Sequence, residues 1–280
     1  MEKGLRAPIV TILGHVDHGK TTLLDVLRKT NVAAKEAGGI TQRIGASQIT
    51  TKDGKEITFI DTPGHAAFSK MRSRGAKVAD IAVLVVSADD GVKPQTQEAI
   101  KLIKDSQIPF LVAITKIDLP SADIEGAKGQ LEKEGVLFEG RGGDTPVIPV
   151  SAKEGKGIEE LLGTISLVAE VKGIKGDPQS ALEAVVIESS KDRRGAFASV
   201  VVREGTLKVG QLIQAEGMAC KIRALFNFKG EAVKEILPGE AGQILGFAEI
   251  PPVGARVTEG GVGEVTKKEE GKKVGKLKEG

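Results

Sequence analysis

The segment Gly14-His15-Val16-Asp17-His18-Gly19-Lys20-Thr21 constrains this chain more than any other. It follows the apolar run Pro8 to Gly14, in which Ile9, Val10 and Ile12 are β-branched, and it opens a stretch, Lys20 to Lys29, where Leu23, Leu24 and Leu27 share one helical face. A glycine-flanked turn between a buried strand and a helix turns backbone N–H groups toward an anion, and the helix start adds partial positive charge. A lysine at this place reaches the outer phosphates of a nucleotide, and the following hydroxyl ligates magnesium. Phosphate is therefore expected against His15, Val16, Asp17, His18, Gly19, Lys20, Thr21 and Thr22, with Thr21 as a magnesium ligand.

Beyond this turn, Glu56 to Ile60 reads as a strand after the Asp53-Gly54 turn, with Ala46 to Thr51 as its hairpin partner at the sheet edge. Strand and helix then alternate: Ile81 to Val86, a helix from about Pro94, Phe110 to Ile114, a helix within 121–134, Val147 to Val150, and a helix from Gly157. That alternation predicts the α/β class, a doubly wound, mostly parallel sheet of the P-loop nucleotide-hydrolase type, over residues 1–175. From about Ser180 the helical period disappears, and short runs such as Glu183 to Ile187, Ala198 to Arg203 and Gln211 to Gln214 recur between glycine turns. A smaller all-β barrel is expected over 180–258, with the boundary near Gly173 to Pro178 and a linker or flexible tail over 259–280.

Three further segments stand at predicted strand ends. Asp61-Thr62-Pro63-Gly64-His65 follows Ile60, Thr115-Lys116-Ile117-Asp118 follows Ile114, and Ser151-Ala152-Lys153 follows Val150. Ligands of open α/β sheets lie outside the carboxyl ends of the strands, so all four segments are expected to converge on one crevice. There Asp61 would hold magnesium and the Gly64 N–H would sense a γ-phosphate. The Asp118 carboxylate can accept from N1 and N2 of guanine, donors that adenine lacks at those positions, which favours GTP over ATP.

Composition sets bounds on this reading. With 280 residues, 40% of them hydrophobic, the chain can bury an ordinary core and is more plausibly two domains than one. A balance of 40 basic against 38 acidic side chains gives no global field for nucleic acid, and without Trp or Tyr a base-stacking row is poorly supported. No apolar run reaches the roughly 20 residues of a membrane span, and Met1 to Pro8 lacks a secretory pattern. A cytoplasmic address and no membrane partner are expected, and a single cysteine, Cys220, excludes an internal disulfide.

At GHVDHGKTTL, DTPGH, TKID and SAK the chain resembles the translational GTPases. AGGITQRIGA at 37–46, DTPGHAAFSKMRSRGA at 61–76 and ADDGVKPQTQEAI at 88–100 narrow the resemblance to bacterial-type translation initiation factor two, over roughly Pro8 to Val257. The resemblance implies GTP and GDP as ligands, with Thr41 on magnesium and His65 positioning the attacking water. It also implies that Val16 and Ile40 form an apolar gate beside that histidine, and that Asp17 lies near a monovalent cation, K+ or Na+. The barrel would approach the small ribosomal subunit, and the G domain the GTPase-activating RNA of the large subunit. Lys191, Arg193 and Arg194 are candidates for contact with rRNA phosphates.

Two departures qualify that expectation. Thr115 stands where the family has an asparagine that contacts the base and braces the phosphate loop, which implies weaker guanine binding. The family's carboxy-terminal domains have no counterpart after Val257, so initiator tRNA is expected to bind weakly or not at all. The expectation is a ribosome-stimulated GTPase, monomeric, promoting initiation and subunit joining. A nucleotide-dependent binding module with little turnover and an elongation-type translational GTPase are the alternatives.

Overall fold

The computed structural model describes residues 4–32, 45–60, 78–193 and 195–260. The short strand β1 (Gly4–Leu5) precedes β2 (Ile9–Gly14), which leads through the glycine turn into α1 (Lys20–Val32). There follow β3 (Ala46–Thr50), β4 (Glu56–Ile60), β5 (Ile81–Ser87), α2 (Pro94–Ser106), β6 (Phe110–Thr115), α3 (Ile124–Lys133), β7 (Val147–Pro149) and α4 (Ile158–Val171). β3 to β7 and β2 form one sheet in the order β3-β4-β2-β5-β6-β7, parallel throughout except for the edge pair β3–β4.

The period-2 geometry of strands explains why β5 is a continuous apolar run. Its Ile81, Val83 and Val85 pack with Leu23 and Leu27 of α1 and with Leu161 and Ile165 of α4. Its Ala82, Leu84 and Val86 face the other way, onto Ala99 and Ile103 of α2 and Leu131 of α3. Both faces of the sheet are thus covered, and each fully buried aliphatic side chain contributes about 1.5–3 kcal/mol. α2 starts where Pro94 presets the backbone, and it stops at Gln107, whose φ of 53° is left-handed.

After β8 (Lys175–Gly176), which pairs with β1, the described residues form strands and turns only. Its strands are β9 (Glu183–Asp192), β10 (Gly195–Glu204), β11 (Leu207–Lys208), β12 (Leu212–Ala215), β13 (Met218–Lys221), β14 (Ala224–Asn227), β15 (Ala232–Val233), β16 (Glu235–Ile236), β17 (Ala241–Phe247) and β18 (Arg256–Glu259). Eight of them form an antiparallel sheet ordered β13-β12-β18-β9-β10-β17-β14-β15, while β11 pairs with β16. The sheet curls round a core that includes Val186, Val200, Ile213, Leu225, Ile244 and Val257. At Gly246 the inner strand β17 meets the edge strand β13: a Cβ there would lie 2.4 Å from the Lys221 carbonyl oxygen and 3.0 Å from Cys220 Sγ. Cys220 is buried in this core, and burial pushes its thiol up to about 11.

The β9–β10 hairpin runs further than its apolar run suggests. Pairing continues past Val186 through polar residues to Asp192 opposite Gly195. At the far end, Glu259 belongs to β18 rather than to a tail, because the strand is paired with β12 at Ile213.

The junction between the two sheets is polar at its centre. The Arg6 guanidinium forks onto Asp80, Nη1 to Oδ2 at 2.7 Å and Nη2 to Oδ1 at 2.9 Å, while Arg203 from β10 donates to the same Oδ1 at 3.0 Å. The Ile9 N–H at the head of β2 donates to Asp80 Oδ2 at 2.9 Å. Burial alone would raise the Asp80 carboxyl; the two guanidiniums and the Ile9 N–H outweigh it and hold the group below its ordinary value. Around this cluster, Ile9, Ile60 and Val78 of the first sheet's side pack against Val185, Ile187 and Val201 of the second. Thr58 Oγ1 donates to the Gly239 carbonyl at 2.6 Å, and the Gly45 N–H to Glu188 Oε2 at 3.1 Å. Among the described residues, no helix is long and apolar enough to cross a membrane.

Candidate nucleotide site

The carboxyl ends of β2, β5, β6 and β7 define the site. Gly14 ends β2 with φ 148°, and a Cβ there would lie 2.3 Å from the Val85 carbonyl oxygen, so glycine is required for β2 and β5 to approach this closely. The loop then passes through Asp17, left-handed at φ 66°, and Gly19 at φ 83° before α1 begins at Lys20. Lys20 folds back over the loop, its Nζ donating to the Gly14 carbonyl at 2.8 Å and also to the His15 carbonyl. Burial lowers its pKa, an effect opposed by Asp17. A half-buried ammonium resting on two carbonyls is a cation that an oxyanion can engage. Thr21 and Thr22 follow in the first turn of α1, both exposed.

Two neighbouring segments hold this loop. The Thr115 hydroxyl, at the end of β6, donates to the His18 carbonyl at 2.6 Å. The Val16 N–H donates to Gln95 Oε1 at 2.9 Å. Gln95 does not belong to any of the four segments read from the sequence. Its signal there is only a place inside 88–100, because the contact spans 79 residues and carries no local pattern.

His18 is fully buried, and its ring meets that of His15 edge to face with centroids 5.0 Å apart. Burial and the neighbouring His15 push His18 down to about 4, so the ring is neutral near pH 7. The Val85 main chain beside the ring acts weakly in the opposite direction.

At the ends of β6 and β7, Ser151 Oγ donates to Asp118 Oδ1 at 2.7 Å, and the Glu154 N–H donates back to that oxygen of Ser151 at 3.1 Å. The Ser151 hydroxyl is the main influence holding the Asp118 carboxyl below its ordinary value, with Lys153 and Lys156 adding to it. Asp118 is thus an ionised acceptor with its orientation fixed from one side. Lys116 lies between, left-handed at φ 58°, with Nζ 3.6 Å from Asp89 Oδ1. Ala152 and Lys153 continue the turn after Ser151. The structure therefore brings together residues from 14–22, 115–118 and 151–153. Ile40, Thr41, Asp61, Gly64 and His65 lie outside the described residues, as do Arg194 and the stretch from 261 onward.

Comparison with known proteins gives the class to which this arrangement belongs. Residues 5–170 match the family model of the elongation factor Tu GTP binding domain, and residues 181–260 match that of elongation factor G domain 2. The chain belongs to the translational GTPase family that carries this GTP-binding domain. Within it, the chain is 54% identical over 252 residues to translation initiation factor IF-2 of Kosmotoga olearia, covering 89% of this chain and 36% of that protein. Against translation initiation factor IF-2 of Deinococcus deserti the identity is 51% over 253 residues, 90% of this chain and 42% of that protein. The chain thus spans less than half the length of these relatives. Among solved structures, GDP-bound aIF5B from Aeropyrum pernix superposes with a TM-score of 0.72 at 32% identity, over 91% of this chain and 54% of that one. The elongation factor SelB from Methanococcus maripaludis gives 0.70 at 26% identity, over 92% and 55%.

Proposed function

We propose that this chain is the nucleotide switch module of a translation initiation factor. It binds GTP and hydrolyses it to GDP and phosphate under stimulation by the ribosome, promoting initiation and subunit joining. The observation that carries the reading is the juxtaposition, at the carboxyl ends of the strands of one sheet, of the Lys20-bearing loop and the Asp118–Ser151 pair, with Thr115 joining the two segments. Relatives named translation initiation factor IF-2 support the initiation step over other translational roles.

The residues present fit a guanine nucleotide. Lys20 and the N–H groups of the loop and first helical turn receive the phosphates, and Asp118, held by Ser151, receives N1 and N2 of the base. Thr21, with Thr41 and Asp61, holds magnesium, which when bound neutralises phosphate charge. Asp17 attends a monovalent cation, K+ or Na+. His65 orients the attacking water, with Val16 and Ile40 as the apolar gate. Positioning is the larger part of such catalysis, since phosphoryl transfer offers the protein little covalent chemistry. The barrel meets the small ribosomal subunit, through Lys191 and Arg193 among others, and the G domain meets the large subunit's GTPase-activating RNA.

The test is steady-state hydrolysis of GTP and ATP by the chain and by His65→Ala, with and without 70S ribosomes. Ribosome-stimulated turnover of GTP that collapses in His65→Ala is expected. Equal use of ATP would overturn the role given to Asp118, and tight GTP binding without stimulation would reduce the chain to a binding module.

A further inference from the structure

We infer that Gln95 is a positioning residue for the phosphate loop, holding it in its binding shape from outside through the Val16 N–H; this rests on the nucleotide-site reading above. Gln95 is placed rigidly. It is the second residue of α2, directly after Pro94, whose ring fixes the backbone at the helix start. The next residue, Thr96, is fully buried, and its hydroxyl accepts from the Lys93 N–H at 3.3 Å. The Gln95 side chain therefore departs from a fixed point and reaches across to the loop between β2 and α1, where its Oε1 accepts from Val16 at 2.9 Å.

The place it grips is where the loop needs support. Gly14 is set by its close approach to Val85, and the His18 carbonyl is tied down by Thr115. Between these fixed points lie Val16 and Asp17, both exposed, and Asp17 takes a left-handed conformation that residues with side chains rarely adopt. The Gln95 bond falls on the residue just before that turn. It also commits the Val16 N–H to the protein, so the donors left for an anion begin after it. A loop already shaped costs less ordering when the nucleotide arrives, and the gain is felt by any ligand that uses the loop. Because the contact is to the loop and not to a γ-phosphate, GDP and GTP benefit alike.

The test compares Gln95→Leu, which has no acceptor, with Gln95→Glu, which keeps one. Gln97→Leu on the same helix is the control, since exposed Gln97 donates to Glu134 Oε1 and not to the loop. The readouts are affinity and dissociation rate for fluorescent mant-GDP and a mant-labelled non-hydrolysable GTP analogue at low and high salt, with melting of the nucleotide-free chain. Gln95→Leu is expected to weaken both nucleotides by the same factor, between about threefold and tenfold, at either salt concentration. Its melting should match that of Gln97→Leu. Gln95→Glu should return to within about twofold of the parent at high salt, where its added charge is screened. Unchanged affinity in Gln95→Leu, an equal loss in Gln97→Leu, or a loss for the GTP analogue alone would overturn the inference. A parent chain that binds neither nucleotide would overturn the site reading, and the inference with it.

Discussion

The strand β2 is held differently at its two ends. At its head, the Ile9 N–H meets the Asp80 carboxylate, which also accepts from Arg6 and Arg203 and is almost sealed from solvent. At its tail, Gly14 opens into a loop that contains a left-handed Asp17, a buried and neutral His18, and a lysine resting on main-chain carbonyls. Charge is paired at one end and kept available at the other. Polar groups gathered at the two ends of one strand thus serve stability or ligand binding according to whether the protein itself completes their bonds.

The largest effect is expected from removing the charge at the head. Asp80→Ala leaves two nearly buried guanidiniums without their carboxylate and should cost about 3–5 kcal/mol in chemical denaturation. A loss under about 1 kcal/mol would mean that the junction is held by its apolar contacts. The same group sets an acid limb. The folded Asp80 carboxyl is held below its ordinary value, so its contribution is complete above the unfolded value of about 4 and disappears as pH falls through the folded one. Urea midpoints of the parent chain should drop over that acid range, and those of Asp80→Asn should drop less.

At the tail the expected effect is on binding rather than stability. Lys20→Met should weaken GDP by about tenfold to a hundredfold, the range for hydrogen bonds to charged groups. Its melting temperature without nucleotide should stay level or rise, because burial already disfavours the ammonium. A matched loss of melting temperature would erase the distinction between the two ends. The smallest expected effect is at Thr115. Its hydroxyl retains the brace to His18 but carries no amide for the base, so Thr115→Asn should tighten GDP by about threefold with little change in melting. Equilibrium titration of both chains with GDP measures it; weaker binding in Thr115→Asn would show that the brace fits the hydroxyl better than an amide.

What was legible in the sequence follows the range of the interactions. Runs such as Ile81 to Val86 announce strands buried on both faces, and the Asp53-Gly54 turn announces the β3–β4 hairpin, because the forces involved act within a few residues. The glycine-flanked turn between β2 and α1 is legible for the same reason, its glycines and lysine being neighbours in the chain. Gln95 was not, since a glutamine at a helix start gains meaning only when Val16 arrives from 79 residues away. Asp80 carries no local signal either, standing just before the run Ile81 to Val86, and its partner Arg203 is 123 residues distant. The outer half of the β9–β10 hairpin escaped because Glu188 to Asp192 carry no apolar alternation, and their pairing is imposed by the neighbouring strand. The two-residue pairs β1–β8 and β11–β16 are too short for any period to appear.

The thiol packed beneath Gly246 has a practical consequence for watching this molecule move. The chain has one cysteine and neither Trp nor Tyr, so it is optically almost silent, and its native sulfur is buried and reluctant to ionise. A maleimide dye offered to the folded protein will therefore find an engineered surface cysteine before it finds Cys220. Donor and acceptor fluorophores placed on the two sheets in this way would report their separation in single molecules, with Cys220 left in place.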